Sequence, residues 1–205
     1  HVLTPLKNDV GYRYDDFEPI GQLVAASIIL TVREDSPWQT LDDFIEAAKA
    51  EPGKYLFGAV PDVAPHLTLL ALTNTAGIDV VHLPQQGGAP GATALLAGDI
   101  DLLPANAATV ASSIKAGKMR GLAVFSAERD KAFPDIPTAK EQGYEVYGSP
   151  FVGLAVAKGV PDDVLETLKA AFDAVAQDPE FQARALKSAS ELTYLPAAEF
   201  GKVWE

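Results

Sequence analysis

The chain has 205 residues, enough for one large domain or two small lobes, and its 48% hydrophobic and 21% charged residues are an ordinary globular composition. The formal net charge of -12 repels nucleic-acid phosphate, and no basic block offsets it, so nucleic-acid binding is not expected. An anionic ligand would need local donors such as helix N-termini. The absence of cysteine excludes disulfides, thiolate nucleophiles and cysteine-ligated metal sites.

Apolar, β-branched runs alternate with helical patterns along the chain, which is typical of parallel βαβ units rather than of a β-sandwich. The longest apolar run, residues 23–32, is about half as long as a membrane span requires. The predicted strands lie at residues 23–32, 55–60, 80–83, 100–103, 120–125 and 152–156.

The first predicted helix has the clearest start and stop signals. Thr40 is a suitable N-cap, and Asp43 stands three residues later, ahead of an apolar stripe that ends before Pro52 and Gly53. Further helices are predicted at residues 65–75, 90–97, 107–116 and 161–177, the last with Pro161 at its first position. Short helices are expected to start near residues 178 and 196.

Two segments are predicted to carry the chain between lobes. The paired apolar stretches around residue 26 lead out of one lobe, and the charged, proline-bearing segment 125–137 leads back. We therefore expect residues 1–26 to end the N-terminal lobe and make the first crossing. Residues 27–124 would form a second α/β lobe, and residues 125–205 would make the return crossing and complete the first lobe. Residues 1–20 have a loop composition, which indicates that the first lobe is incomplete in this chain.

Gly87 and Gly88 lie where a predicted strand ends and a helix begins. Without Cβ atoms the backbone can approach a ligand and direct N–H groups at it, beside the positive end of the helix dipole. These residues can therefore hold a carboxylate or phosphate, although a tight packing turn would use the same glycines. The loops at 58–66 and 104–106 occupy equivalent strand-to-helix positions, so three loops are expected to face one crevice.

Catalytic and metal-binding signatures are absent from the sequence. His1, His66 and His82 are far apart along the chain and each lacks a partner at i+4, so a metal site is not predicted. Asp99 and Asp101 would share a face of a strand, as an acid–base pair requires, but Gly98-Asp99 is also typical of a turn that closes a helix. The turn is the favoured interpretation.

Four stretches resemble the tripartite tricarboxylate transporter receptors, the TctC or Bug family of periplasmic solute-binding proteins. They are FGAVPDVAPHL at 57–67, VHLPQQGGAPGATALLAGDIDLL at 81–103, IKAGKMRGLAVFSAERDKAFPDIPTAKEQGYEV at 114–146 and GLAVAKGVPDDV at 153–164. The resemblance implies an α/β, type II periplasmic-binding-protein fold, the Venus flytrap, in which two α/β lobes joined by crossing strands close on a carboxylate. It also implies that the chain lacks the N-terminal third of such a receptor, including its signal sequence.

The resemblance also implies a set of ligand-binding residues, carried over by position. Gly87, Gly88 and Ala89 match the family's carboxylate-holding loop. The loop on the opposite wall matches Ala59, Val60, Pro61 and Asp62, and the set is completed by Asn106 and Ser149. The chain departs from the family pattern where relatives carry glycine and small hydroxyl residues in that second loop, and where many carry an aspartate at the position of Ala105. These departures leave the identity of the ligand open.

The function expected on this basis is that of a monomeric periplasmic receptor, not an enzyme, with no metal or cofactor. It would bind a small mono-, di- or tricarboxylate in the interlobe cleft and deliver it to the membrane permease subunits of the transporter. The alternatives are an effector-sensing domain of a transcription regulator, which shares this fold, and a small-molecule enzyme built on Asp99, Asp101 and His66. A secretory leader upstream would favour the receptor, and a DNA-binding segment the regulator.

Overall fold

The computed structural model describes residues 9–187 and 192–204. Its strands are β1 Phe17–Ala25, β2 Ile28–Arg33, β3 Leu56–Ala59, β4 Val81–Pro84, β5 Leu103–Asn106, β6 Met119–Val124, β7 Phe151–Ala157 and β8 Leu192–Pro196. Its helices are α1 Leu41–Ala50, α2 Ala64–Ala76, α3 Gly88–Ala97, α4 Ala107–Lys115, α5 Asp162–Gln177, α6 Pro179–Lys187 and α7 Ala197–Trp204. Among the helices described, none has both the length and the apolar composition of a membrane span.

The chain divides into two compact units. The first consists of His1–Ala25 and Phe151–Glu205, and the second of Ala26–Pro150. The boundary after Ala25 lies one residue before the predicted boundary, which followed residue 26. The boundary after Pro150 lies well beyond the predicted one, which followed residue 124. The predicted crossing strand at 23–32 is accordingly two strands, since β1 ends at Ala25 and β2 begins at Ile28.

Residues 125–150 belong to the second unit because they bond to its sheet and to α1. The N–H of Val124 donates to the carbonyl of Pro137 at 2.9 Å, and the side chain of Gln142 donates to the carbonyl of Leu122 at 3.0 Å. The hydroxyl of Tyr144 donates to Asp42 at 3.0 Å. The charged, proline-bearing composition of 125–137 therefore belongs to a surface loop of this unit and does not mark the return crossing.

The sheet of the second unit is mixed. Strand β2 lies between β5 and β6 and is antiparallel to both, while β3 and β4 are parallel. A parallel bridge between Phe57 and Leu102 joins β3 to the segment entering β5, so the strand order is β4-β3-β5-β2-β6. The carboxyl ends of β3, β4 and β5 therefore share one edge of the sheet. The strand predicted at 100–103 begins three residues later, at Leu103.

Helix α1 confirms the predicted signals. The apolar stripe Leu41, Phe44, Ile45 and Ala48 is buried, and the ring of Phe44 packs edge-to-face on Trp38 at 5.2 Å. Burial of a large aromatic side chain of this kind contributes about 2–3 kcal/mol relative to exposure. The hydroxyl of Thr40 accepts from the N–H of Asp43 at 3.1 Å, and the Asp43 carboxylate accepts from the N–H of Thr40 at 2.9 Å, which completes the capping box.

The first unit has an antiparallel sheet of order β7-β1-β8. Strand β8 was not predicted, and β1 starts at Phe17, inside the segment expected to be a loop. Phe200 of α7 is fully buried, and its ring packs edge-to-face on Phe151 at 5.1 Å. Helix α5 starts at Asp162, so Pro161 is its N-cap instead of its first residue. Desolvation and a hydrogen bond to Asp173 raise the pKa of Tyr194 in β8 to about 12, so this phenol stays protonated and donates.

The capping box leads to a pH-dependent prediction. The pKa of Asp43 lies below its ordinary value because its carboxylate accepts from the backbone N–H groups of Gln39 and Thr40 and interacts with the Thr40 hydroxyl. A depressed carboxyl pKa stabilises the fold above the unfolded pKa of about 4, and this contribution is lost as the pH falls through the folded value. Asp43→Ala should therefore lower the urea midpoint at pH 7, and the difference from the parent should shrink below pH ~4.

The matched control is Glu46→Ala, which removes an exposed carboxylate of the same helix that lies outside the capping box. The explanation is wrong if the difference in urea midpoint between Asp43→Ala and the parent is the same at pH 7 and at pH 3.

Candidate functional site

A cavity of about 300 Å³ lies within the second unit, at the carboxyl ends of β3 and β5 and beside the connection from β4 to α3. The strand-to-helix connections that follow β3, β4 and β5 all contribute to it, as three converging loops are expected to do. Its lining residues are Ala59, Val60, Val63, Ala64, Pro65, Gly87, Gly88, Leu103, Pro104, Ala105, Asn106, Thr109 and Pro150.

Three helices begin at this cavity. The first turn of α2 supplies Ala64 and Pro65, α3 begins at Gly88, and α4 begins after its N-cap Asn106 and supplies Thr109. The N-terminus of a helix carries the positive end of its dipole and N–H groups without intrahelical acceptors. Three such ends at one cavity make it a favourable place for an anion.

The N-terminus of α3 offers two backbone donors. The first bond of this helix runs from the N–H of Gly91 to the carbonyl of Gly87 at 3.1 Å. The N–H groups of Gly88 and Ala89 precede it and have no acceptor within the helix, while Pro90 has no N–H to offer. Two adjacent donors match the two oxygens of one carboxylate.

The two glycines of the loop serve different purposes. A Cβ atom on Gly88 would lie 2.9 Å from Cγ2 and 3.2 Å from Oγ1 of Thr109, so the close approach of α3 to α4 requires glycine there. A Cβ atom on Gly87 would meet only Pro90, at 3.6 Å, which is an ordinary contact. The conformation of Gly87 is extended and open to any residue. Packing therefore explains Gly88, whereas no close contact requires glycine at position 87.

No side chain that lines the cavity is ionisable, as its thirteen described residues show. The negative charge of a ligand would be balanced by the three helix N-termini, the amide of Asn106 and the hydroxyl of Thr109. The other walls are apolar and include Val60, Val63 and Pro150. The cavity can thus hold a polar or anionic group at one end and a carbon skeleton beside it.

The sequence-predicted residues are only partly brought together. Gly87, Gly88, Ala59, Val60 and Asn106 line the cavity. Ala89 follows in the first turn of α3 and is exposed, and Pro61 and Asp62 are exposed in the loop after β3. The hydroxyl of Ser149 donates to the carbonyl of Ala26 at 3.2 Å, and the next residue, Pro150, lines the cavity in its place. Of the described residues in the predicted set, these last four are not part of the lining.

Thr109, which supplies a hydroxyl group to the cavity wall, was not predicted from the sequence. It stands three residues after Asn106, the N-cap of α4, in the first turn of that helix. A polar residue in the first helical turn after a strand-to-helix loop is the signal that could have identified it, because such a side chain lies beside the orphan N–H groups of the helix.

Two histidines that are far apart in the sequence are in contact. The ring centroids of His66 on α2 and His82 on β4 lie 4.2 Å apart, and His82 stacks on Phe57 of β3 at 4.7 Å. Separation along the chain did not predict this contact, because the helix of a βαβ crossover packs back on the sheet and brings its side chains against the strands. Within the described residues, no group of three or more His, Cys, Asp or Glu side chains is placed to hold a metal ion.

Asp99 and Asp101 have structural roles away from the cavity. The N–H of Asp99 donates to the carbonyl of Ala94 at 2.9 Å, at the C-terminal end of α3. The carboxylate of Asp101 accepts from the N–H of Leu56 at 2.8 Å, at the start of β3. The cavity lies at the opposite end of that strand, so these two residues do not form an acid–base pair there.

Comparison with known proteins gave a family match over most of the chain. The model of the tripartite tricarboxylate transporter family receptors, TctC, matches residues 2–202. A UPF0065 protein of Bordetella pertussis is 30% identical over 182 residues, which are 88% of this chain and 56% of that protein. The BugT protein of the same organism is 30% identical over 161 residues, which are 75% of this chain and 48% of BugT. The chain therefore spans about half the length of these curated relatives.

Solved structures share the fold. A TctC solute-binding protein from Polaromonas, without ligand, superposes with a TM-score of 0.86 at 32% identity, covering 94% of this chain and 67% of that one. The periplasmic binding protein BugD gives a TM-score of 0.68 at 28% identity, over 89% of this chain and 61% of that one. A protein of Rhodopseudomonas palustris with bound malate gives a TM-score of 0.70 over 92% of this chain and 65% of that one. At 22% identity, this likeness shows the fold alone.

Proposed function

The chain belongs to the tripartite tricarboxylate transporter receptor family, and on that premise we propose that it binds a small organic acid through one carboxylate group in the cavity of the second unit. The observation that carries the proposal is the convergence of three helix N-termini on a cavity lined without ionisable side chains. A chain with a net charge of -12 cannot attract an anion by its overall charge, so local donors must hold it.

The N–H groups of Gly88 and Ala89 would each donate to one carboxylate oxygen, and the Asn106 amide would donate a further bond. Hydrogen bonds to a charged group contribute roughly 1.5–3 kcal/mol each. Two or three of them, together with the helix dipoles, can offset the cost of removing a carboxylate from water. The binding energy would thus come mainly from backbone geometry.

The apolar walls would contact the carbon skeleton of the ligand. Val60 and Val63 from the loop after β3 and Pro150 from the end of the second unit are available for this contact. Burial of such a skeleton contributes about 25 cal/mol per Å². An organic acid would therefore bind more tightly than inorganic phosphate, which has no apolar surface to bury.

The family consists of solute receptors, which supports binding without chemical conversion. We further propose that the whole protein acts in the periplasm, as a monomer, and delivers its ligand to the membrane permease of a tripartite transporter. Related structures of Rhodopseudomonas palustris proteins contain malate and adipate, so these two dicarboxylates are the first ligands to test.

The test is titration calorimetry of the purified protein with malate, adipate, citrate and a series of monocarboxylates, each paired with its uncharged amide. We expect at least one acid to bind and its amide to bind at least tenfold more weakly, because the amide lacks the charge that the helix N-termini stabilise. Mass spectrometry after prolonged incubation should recover the bound acid unchanged. Equal affinity for acid and amide, or conversion of the acid to a product, would contradict the proposal.

A further inference from the structure

Two histidines hold opposite ends of a loop that lines the cavity. Residues 59–63, called the 59–63 loop below, connect β3 to α2 and contribute Ala59, Val60 and Val63 to the lining. His82 Nε2 lies 3.0 Å from the carbonyl oxygen of Ala59 at the start of this loop. His66 Nδ1 accepts a hydrogen bond from the N–H of Asp62 at 3.1 Å near its end. The shape of this cavity wall therefore depends on both imidazole rings.

The hydrogen bond of Asp62 holds a backbone conformation that is otherwise unfavourable. Asp62 has φ 64°, and among the described residues it is the one non-glycine residue with a positive φ. Residues with a Cβ atom avoid this left-handed region, and they persist in it where the surrounding structure holds them. The ring of His66, which is buried on α2, provides that hold.

The two histidine bonds respond differently to protonation. The carbonyl of Ala59 can only accept, so Nε2 of His82 carries a proton whether the ring is neutral or cationic. The N–H of Asp62 can only donate, so Nδ1 of His66 must be unprotonated for the bond to exist. Protonation of His66 removes the hydrogen bond from the Asp62 N–H, while protonation of His82 leaves its own bond in place.

Few charged groups lie near the two rings in the part of the chain that the structure describes. The strands β3 and β5 and helix α3, which pack around them, carry no charged side chain, and His82 is the titratable residue of β4. The remaining groups nearby are the carboxyl of Asp62, beside His66 in the loop, and Glu145 and Tyr147, which are exposed near Gly148 where that segment packs on α2. A proton on His66 would also face the ring of His82 at 4.2 Å.

From these contacts we propose that His66 and His82 are positioning residues of the cavity, and that protonation of His66 releases the 59–63 loop and weakens ligand binding as the pH falls. The part that concerns ligand binding rests on the proposed carboxylate function, whereas the part that concerns the loop does not. The bond from Asp62 is complete above the pH at which His66 titrates and is lost below it. Binding is therefore tightest at neutral and alkaline pH.

The loop can be followed without ligand by amide hydrogen exchange of the purified protein, measured by NMR at pH 8 and pH 5.5. The protection factor, which corrects for the intrinsic pH dependence of exchange, should fall about tenfold at the Asp62 amide on acidification, since one backbone hydrogen bond is lost. Unchanged protection of this amide in the parent at both pH values would overturn the inference, and this measurement needs no variant.

Two variants separate the histidines. His66→Asn places an amide oxygen near the position of Nδ1, so it keeps an acceptor that does not titrate, and the protection of Asp62 should become independent of pH. His82→Gln places an amide N–H near the position of Nε2, so it keeps the donor to Ala59 and should retain the pH response of the parent. The assignment to His66 is wrong if His66→Asn still responds, or if His82→Gln does not.

Calorimetry with malate and adipate at pH 8 and pH 5.5 tests the link to binding. Protonation of the dicarboxylates at pH 5.5 affects all variants equally, so the comparison is made with His66→Asn. We expect the parent to lose about tenfold more affinity than His66→Asn on acidification. Failure of both acids to bind any variant, with a normal response of the Asp62 amide, would count against the carboxylate function alone. Equal losses in parent and variant would overturn the link between loop and site.

Discussion

Gly88→Val is expected to weaken carboxylate binding by roughly 10- to 150-fold, measured by calorimetry with the acid that binds the parent most tightly. The N–H of Gly88 is one of two unpaired donors at the start of α3, and a branched side chain there would cover the cavity and collide with Thr109. Loss of one hydrogen bond to a charged group costs about 1.5–3 kcal/mol, which sets the expected range.

The control is Gly98→Val, at the other end of the same helix. Gly98 has φ 85°, so valine there strains the backbone, and its Cβ would lie 2.8 Å from the end of the flexible Arg33 side chain. This variant should lose stability while its folded fraction binds with the affinity of the parent. A circular dichroism spectrum of a folded α/β protein in both variants ensures that affinities refer to native protein.

A double variant distinguishes access from packing at Gly88. In Gly88→Ala/Thr109→Ser the methyl group of Thr109 that stands 2.9 Å from the new Cβ is removed, while its hydroxyl is kept. The double variant should recover the stability lost by Gly88→Ala but not its affinity. Recovery of both would show that glycine serves only the packing of α3 on α4, and the loop would then have no part in binding.

Gly148→Ala should destabilise the second unit by roughly 3 kcal/mol, because there is no room for a methyl group in this part of the core. A Cβ atom on Gly148 would overlap Oγ1 of the buried Thr68 and lie 2.6 Å from its Cγ2 and 2.7 Å from its Cβ. Thr68 cannot turn away without breaking the bond from its hydroxyl to the carbonyl of Ala64, at 2.7 Å. Urea denaturation followed by circular dichroism measures the loss.

Gly87→Ala is the matched control in the same unit, since its new Cβ would meet an ordinary contact at 3.6 Å. It should unfold within about 1 kcal/mol of the parent. Gly148→Ala/Thr68→Ala should recover part of the loss, because Oγ1 and Cγ2 of Thr68 are gone. A parent-like urea midpoint for Gly148→Ala alone would show that the segment before Pro150 does not pack on α2 as described.

Features encoded over a few consecutive residues could be predicted from the sequence. The capping box of Thr40 and Asp43 and the buried stripe of α1 follow from spacings of three and four residues, which one helical turn brings together. The glycines between β4 and α3 and the loop at 104–106 before α4 were located in the same way, at the change from strand to helix pattern. The family resemblance rests on the same local motifs, and the family match over residues 2–202 confirms it.

Contacts between distant residues were decided only by the tertiary structure. The contact between the rings of His66 and His82, the fit of Gly88 against Thr109 and the place of residues 125–150 within the second unit depend on which strands and helices are neighbours. The antiparallel direction of β2 is of the same kind, since an apolar run that is buried on both faces reads alike in either direction. The positions of these strand-to-helix connections could therefore be predicted from the sequence, because capping and glycine signals act within one turn of chain. The tertiary structure decided which side chains surround those loops, because that depends on the order of the strands in the sheet.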